Sequence, residues 1–368
     1  MSIAGGHSRV GVGMSGRSPW RGASGMTVGE WWVRWYPAVD LAPSTLEAYA
    51  QQYRRHVGPR FAGARLDEVT ALELSRFARG LREGGLAPSS VAVATAVIRD
   101  LLVDAAIEGL IPVAPVGGIR QRRAGRGQPV RAGVAAELST VLAVCRRLPA
   151  QEALMALTAL FTGMRWGEVC GIRIGALRVQ PAGLGLGGGV YEIDARFGAV
   201  HEDVHSRRYF GPPKDGRVRL IDLPVFLAGL LNEHAEAAGG RLVLFTNRRG
   251  DPIRHTDFLR LWRAACDGRP TRYGPRGEVR APAEPPLHPG LRFHDLRHTH
   301  KTMLTELGVP EVLQDERLGH HPPGMRSVYG HTTRRMHEEL VDGLQRSWER
   351  ELAQGIGAWG NPRAPEGL

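Results

Sequence analysis

Cysteine is scarce in this chain. Only Cys145, Cys170 and Cys266 occur in 368 residues, an odd number of widely separated thiols. That pattern excludes a disulfide framework and the short Cys spacings of zinc knuckles and redox motifs, and it points to a reducing compartment. Long apolar runs are also missing. No stretch reaches the roughly 18 apolar residues of a membrane span, and the N-terminal segment carries Gly, Ser and Arg where a signal peptide needs an apolar core. A soluble, cytoplasmic protein with no membrane partner is expected. Acid, too, is thin: residues 1–24 hold none, and neither does the run IRQRRAGRGQPVR at 119–131. Over the whole chain 48 Lys and Arg outnumber 37 Asp and Glu, for a formal net charge of +11. An excess of that size points to a polyanionic partner, although a solvated basic surface gives the same count.

What is present divides into segments. Residues 1–24, rich in Gly and Ser with Arg9, Arg17 and Arg21, are expected to form a disordered basic tail. Residues 25–118 carry helical signals. Ser44 with Glu47, and Thr70 with Glu73, have capping-box spacing ahead of apolar stripes, and a third helix is expected from about Ser89, with Gly109 and Pro112 as its stop. Residues 119–132 form a basic linker that can either be solvated or run along phosphates. A second domain, 133–352, opens with helices up to Gly163. It turns to strand-like alternation at Tyr191–Phe197 and Val218–Leu223, with Asp215-Gly216 expected as a hairpin turn and Leu242–Phe245 as a short strand. A Pro- and Gly-rich loop at 267–290 precedes a return to helix from His294, and 353–368 is a flexible tail. The fold class expected is mainly α with a small antiparallel β-sheet.

Four islands in the second domain place strong cations and one phenol in a set order: TGMRWGE at 162–168, PKDGR at 213–217, HDLRH at 294–298, and LGH at 318–320 followed by Tyr329. His320 follows Arg297 by 23 residues and Tyr329 follows His320 by nine. In residue type and spacing the set resembles the tyrosine recombinase and phage integrase family, and the resemblance spans most of the chain. It implies a helical, SAM-like core-binding domain ahead of a mixed α+β catalytic domain, closing on duplex DNA as a C-shaped clamp. It also implies a site made of Arg165, Lys214, His294, Arg297, His320 and the nucleophile Tyr329, supported by Glu168. Two features depart from the family pattern: Pro322 and Pro323 precede the tyrosine, and Asp215-Gly216 stands where relatives often have serine or threonine.

The chemistry explains these residue types. Attack of a tyrosine oxygen on a phosphodiester builds negative charge on the nonbridging oxygens, and guanidiniums stabilise it with paired hydrogen bonds. Lys214 would protonate the leaving 5′-oxygen, and His294 and His320 would donate hydrogen bonds or exchange protons with the phenol. Energy kept in the 3′-phosphotyrosyl ester makes the reaction reversible, so no cofactor is expected. A metal reading of His294, His298, His300, His320 and His321 lacks the Glu of a zinc-protease helix and any Cys cluster, so no metal is expected.

The resemblance further implies double-stranded DNA attachment sites as partners, a homotetramer on DNA, and room for a directionality factor or host DNA-bending protein. Arg54, Arg55, Arg120, Arg122, Arg123 and Arg126 are candidates for backbone contacts. Helix 336–348 has two placements open, on a neighbouring protomer or on its own domain. A mobile-element integrase is the leading reading. A chromosome-dimer-resolving recombinase, a type IB topoisomerase and a DNA-binding regulator without catalysis are the alternatives.

Overall fold

The computed structural model of the chain describes residues 25–41, 43–116, 135–179, 188–203, 207–276, 278–320 and 332–354. It divides into two compact units, 1–129 and 130–368. The tail 1–24, the linker 119–132 with Arg120, Arg122, Arg123 and Arg126, and Tyr329 lie outside the described residues.

The first unit is helical: α1 (Val28–Trp35), α2 (Pro43–Gln52), a π-helical turn at Tyr53–Val57, α3 (Gly58–Phe61), α4 (Ala71–Glu83) and α5 (Pro88–Ile107). Thr70 and Glu73 close a reciprocal cap at the start of α4, and Thr27 and Glu30 do the same for α1, a device worth about 1 kcal/mol at each helix start. Helix α2 begins at Pro43, so Ser44 lies inside the helix rather than just ahead of it as expected. Proline at a first helical turn loses no hydrogen bond, which explains the earlier start. Helix α5 supplies the spine of the core through Val97, Ile98, Leu101, Leu102 and Ala105, all fully buried. Aromatic side chains pack on it and spend their polar tips locally. Trp31 Nε1 donates to the Leu101 carbonyl at 2.9 Å, Trp35 Nε1 to Asp104 at 2.6 Å, and Tyr49 Oη to Asp100 at 2.7 Å.

The second unit begins with α6 (Leu138–Cys145), α7 (Ala150–Thr162) and the short α8 (Trp166–Cys170). Helix α7 is apolar on all sides and buried from Ala153 to Thr162, as expected of a helix through the middle of a core. Five strands follow: β1 (Leu177–Val179), β2 (Gly189–Ile193), β3 (Ala199–Glu202), β4 (Arg208–Gly211) and β5 (Arg219–Leu223). They form two antiparallel sheets, β1-β2-β5 and β3-β4. Asp215-Gly216 is therefore not a hairpin turn. It lies between two strands that pair with other partners, β4 with β3 and β5 with β2, and the connection joins two sheets. Leu242–Phe245 likewise is not a strand. Val243 makes one isolated bridge to Arg173, and burial of Leu244 and Phe245 rather than a ladder explains the apolar run. Helices α9 (Val225–Ala237) and α10 (His255–Asp267), the small hairpin β6 (Arg272–Tyr273) and β7 (Val279–Ala281), then α11 (Asp295–Glu306), α12 (Glu311–Leu318) and α13 (Arg334–Ala353) complete the unit.

Helix α13 packs on its own unit. Trp348 stacks on Phe226 with ring centroids 4.2 Å apart, and Leu340, Val341 and Leu344 are buried in the same core. Among the described residues no helix is long and apolar enough to cross a membrane.

Candidate active site

Two helix starts carry the arginines. Arg165 is the residue before α8, and its backbone N–H donates to Glu168 Oε2 at 2.8 Å while its Nη1 donates to Glu168 Oε1 at 2.9 Å. Glu168 is buried, so its charge needs partners. Arg219 supplies a second, with Nη2 2.7 Å from Glu168 Oε2. Arg297 lies one turn into α11. The two helix starts are held together by rings: Trp166, next to Arg165, meets Phe293, just before α11, at 5.2 Å edge to face.

Arg297 is almost wholly buried. Its Nη1 donates to the Gly163 carbonyl at 2.7 Å, and its Nη2 donates to the Leu318 carbonyl and to His320 Nε2, the latter at 2.9 Å. Three of five N–H donors are thus spent inside the protein, leaving one on Nη1 and that of Nε. Burial, and next the nearby Arg165 charge, push its pKa down to about 10, which still leaves it a cation at neutral pH. Gly163 caps α7 in the left-handed region, and a Cβ there would meet Leu318 and His300 at 2.6 and 2.7 Å. Only glycine lets its carbonyl reach Arg297 by this route.

His320 follows the left-handed Gly319 that ends α12. A guanidinium offers no acceptor, so its contact with His320 Nε2 requires the tautomer with the proton on Nδ1, and Nδ1 faces Asp315 Oδ1 at 3.6 Å. Burial, then the Arg297 charge, hold His320 below the ordinary imidazole range, so the neutral ring prevails at pH 7.

Arg165, Lys214, Asp215, Glu311, Asp315, Gly319 and His320 line one open cleft of about 530 Å³. Among the sequence candidates, the structure therefore brings Arg165, Lys214 and His320 to one cleft, with Glu168 and Arg297 directly behind them. His294 is exposed at the start of α11, its ring 5.3 Å from His298 edge to face, and does not line the cleft. Arg54 and Arg55 are exposed on the π-helical turn of the other unit.

Three contributors escaped the sequence reading. Asp215 and Arg219 pair at 2.5 Å in the interior. Arg317 is buried, donating from Nε to His300 Nε2 at 3.0 Å and from Nη2 to the Phe161 and Asp222 carbonyls. It therefore serves as internal scaffold beneath the cleft, and it leaves His300 engaged with a cation. Lys214, already expected in the site, and Lys301 are the only lysines among the 48 Lys and Arg of the chain. That count was a usable signal, because arginine cannot replace a group that must release a proton. Among the described residues no group of three or more His, Cys, Asp or Glu is placed to hold a metal ion.

A helical unit is followed by an α+β unit in which arginines, a lysine and a histidine converge on one cleft, the arrangement that the resemblance to tyrosine recombinases implies. No family profile matches the chain. It is similar to a prophage phiRv2 integrase of Mycobacterium tuberculosis, 23% identical over 91% of this chain and 84% of that protein. Its fold matches the Tn1549 transposon integrase bound to a circular-intermediate DNA, with TM-score 0.61, 17% identity, 88% of this chain and 99% of that one covered. It also matches lambda integrase, solved as a tetramer on a Holliday junction, with TM-score 0.53, 17% identity, 82% of this chain and 80% of that one covered. In sequence the chain is similar to phage and prophage integrases, and in fold to solved integrases of a transposon and of phage lambda.

Proposed function

We propose that this protein is a site-specific DNA recombinase that cuts and rejoins duplex DNA through a 3′-phosphotyrosyl bond to Tyr329, and that it integrates and excises a mobile element. The convergence of Arg165, Lys214 and His320 on one cleft, backed by the buried Arg297, carries this reading.

In the reaction the Tyr329 oxygen attacks the scissile phosphorus, its proton passing to an imidazole of the site or to water. Arg165 and Arg297 hold the nonbridging oxygens as charge builds. The P–O5′ bond breaks and the Lys214 ammonium gives its proton to the departing oxygen. A 5′-hydroxyl from a partner strand reverses these steps, so no nucleotide or metal is consumed. His294, exposed at the start of α11 and outside the cleft lining, supplies its expected hydrogen bond only to a phosphate that extends past the cleft towards that helix start.

Residues 25–118 act as the core-binding domain, 119–132 as a basic linker, and 133–352 as the catalytic domain. Both domains bind the attachment site, and four copies assemble on DNA in the cytoplasm. The integrase relatives, from a prophage and a transposon, favour a mobile element over chromosome-dimer resolution.

The test incubates wild type and Tyr329→Phe with nicked duplexes carrying candidate attachment sites and looks for a denaturant-resistant protein–DNA adduct. An adduct with wild type alone is expected. Adduct from Tyr329→Phe overturns the nucleophile, and none from either protein on any substrate favours a DNA-binding protein without catalysis.

A further inference from the structure

We infer that Asp215 is a positioning residue that latches the Lys214 turn onto Arg165 and Arg219, and so holds the lysine where it protonates the leaving oxygen. This rests on the reading of Lys214 as the proton donor.

Asp215 sits between two exposed residues, Lys214 and Gly216, yet its own side chain is only 5% exposed. Its Oδ2 lies 2.5 Å from Arg219 Nη1 and 3.5 Å from Arg165 Nη1. Arg219 reaches Glu168, and Glu168 holds Arg165. The four side chains thus close a ring of alternating charge, and the residue beside the lysine is one of its members. A surface turn needs no buried carboxylate: a solvated Asp would satisfy itself at lower cost, because taking a charge out of water is expensive unless it is tightly paired. Its Oδ1 is moreover buried with no hydrogen-bond partner among the described residues, so this geometry is not the one that best satisfies the carboxylate.

The ring also supports the far side of the cleft. A Cβ on Gly319 would fall 2.0 Å from Asp215 Oδ2 and 2.1 Å from Arg219 Nη1, so the backbone leading into His320 rests directly on this pair. Across the turn, Gly216 N–H donates to the Pro213 carbonyl at 2.9 Å, and Gly216 adopts φ +63°. The turn is therefore tight, and fixing Asp215 fixes the Lys214 backbone one residue away, while the lysine side chain keeps its reach. Asp215 never touches substrate on this account.

Leaving-group chemistry separates a latch from a mere charge neutraliser. When P–O5′ breaks, the oxygen needs the Lys214 proton. With sulfur in that bridging position, P–S breaks instead and the thiolate departs unprotonated, because a thiol has a pKa of about 8.5. Wild type, Lys214→Ala, Asp215→Asn and Asp215→Glu are compared for the rate of covalent adduct on nicked duplexes with oxygen or sulfur at the 5′ bridge. Asp215→Asn should slow about 10- to 100-fold with oxygen, as a misplaced catalytic group does, and return to near the wild-type rate with sulfur, as Lys214→Ala should. DNA affinity should hold or rise, since a negative charge beside the phosphate is removed.

Equal slowing of Asp215→Asn on both substrates, or a wild-type rate on oxygen, overturns the latch while leaving the lysine assignment intact. Failure of sulfur to rescue Lys214→Ala overturns the lysine assignment and the latch with it. The ratio of the oxygen to the sulfur rate is independent of the active fraction, so Asp215→Glu, which keeps the charge but lengthens the arm, decides the matter by the same ratio if the amide variant folds poorly.

Discussion

Arg297 and Lys214, two cations of the proposed site, stand in opposite conditions. Arg297 is buried, its guanidinium fixed by two backbone carbonyls and an imidazole before any ligand arrives. Lys214 stands exposed on a turn. Charge stabilisation gains from being rigid and dry, since donors that need no reorganisation act at full strength. Proton delivery needs a group that can move to the leaving atom and give up its proton, and a solvated ammonium on a tethered turn fits that need.

The largest expected effect breaks the rigid member. Arg297→Ala should reduce adduct formation about 10³-fold and also lower thermal stability, because the Gly163 and Leu318 carbonyls lose their buried donor, at about 1–3 kcal/mol for each group left unpaired. Arg297→Lys should recover little, as an ammonium cannot span three acceptors in a plane. Lys214→Ala should slow cleavage by about 10² with no change in melting temperature. Melting curves and single-turnover adduct rates on the same preparations test the contrast. If Lys214→Ala unfolds the protein and Arg297→Ala does not, the division between rigid and mobile cations is wrong.

A smaller effect comes from five histidines of the second unit. Burial is the leading cause that holds His234, His255, His294, His300 and His320 below the ordinary range, and His300, fully enclosed beside Arg317, lies well below it. Between those lowered values and the unfolded value of about 6.5, the unfolded chain binds more protons than the folded one. Stability is therefore full above about pH 6.5 and falls as the pH drops through that window. Melting temperature should decline from pH 7.5 to 5.5, and a His300→Asn variant should show a shallower decline. A flat profile in wild type contradicts the burial assigned to these rings.

The rigid side was also the legible side. Arg165, Glu168, Arg297 and His320 stand at fixed spacings along the chain because each belongs to a helix start or helix end, where local sequence dictates position. From sequence Asp215 reads as a turn residue, because Asp-Gly between alternating segments is the local signature of a hairpin. Which strand β5 pairs with is settled by β2, some 30 residues earlier, and no local pattern records it. The Arg219–Asp215 pair follows from that pairing, so it was invisible until the sheet was known. The His300–Arg317 contact is unreadable from sequence for a related reason: it joins α11 to α12 through burial, and arginine usually faces water. Leu242–Phe245 shows the converse, an apolar run whose burial imitates a strand without a ladder.

The smallest expected effect tests whether cations outside the cleft only hold DNA. Arg54 and Arg55 are exposed on the π-helical turn, beyond the end of α2. If each neutralises one phosphate, Arg54→Ala should reduce the slope of log affinity against log salt by about one, weaken binding equally on all sequences, and leave the single-turnover adduct rate at saturating protein unchanged. Titration across 50 to 200 mM salt, in the range where such slopes are resolved, measures all three. A changed adduct rate at saturation would mean that this turn helps to place the scissile phosphate, and the difference between cations that catalyse and cations that merely hold would then fail at its outermost point.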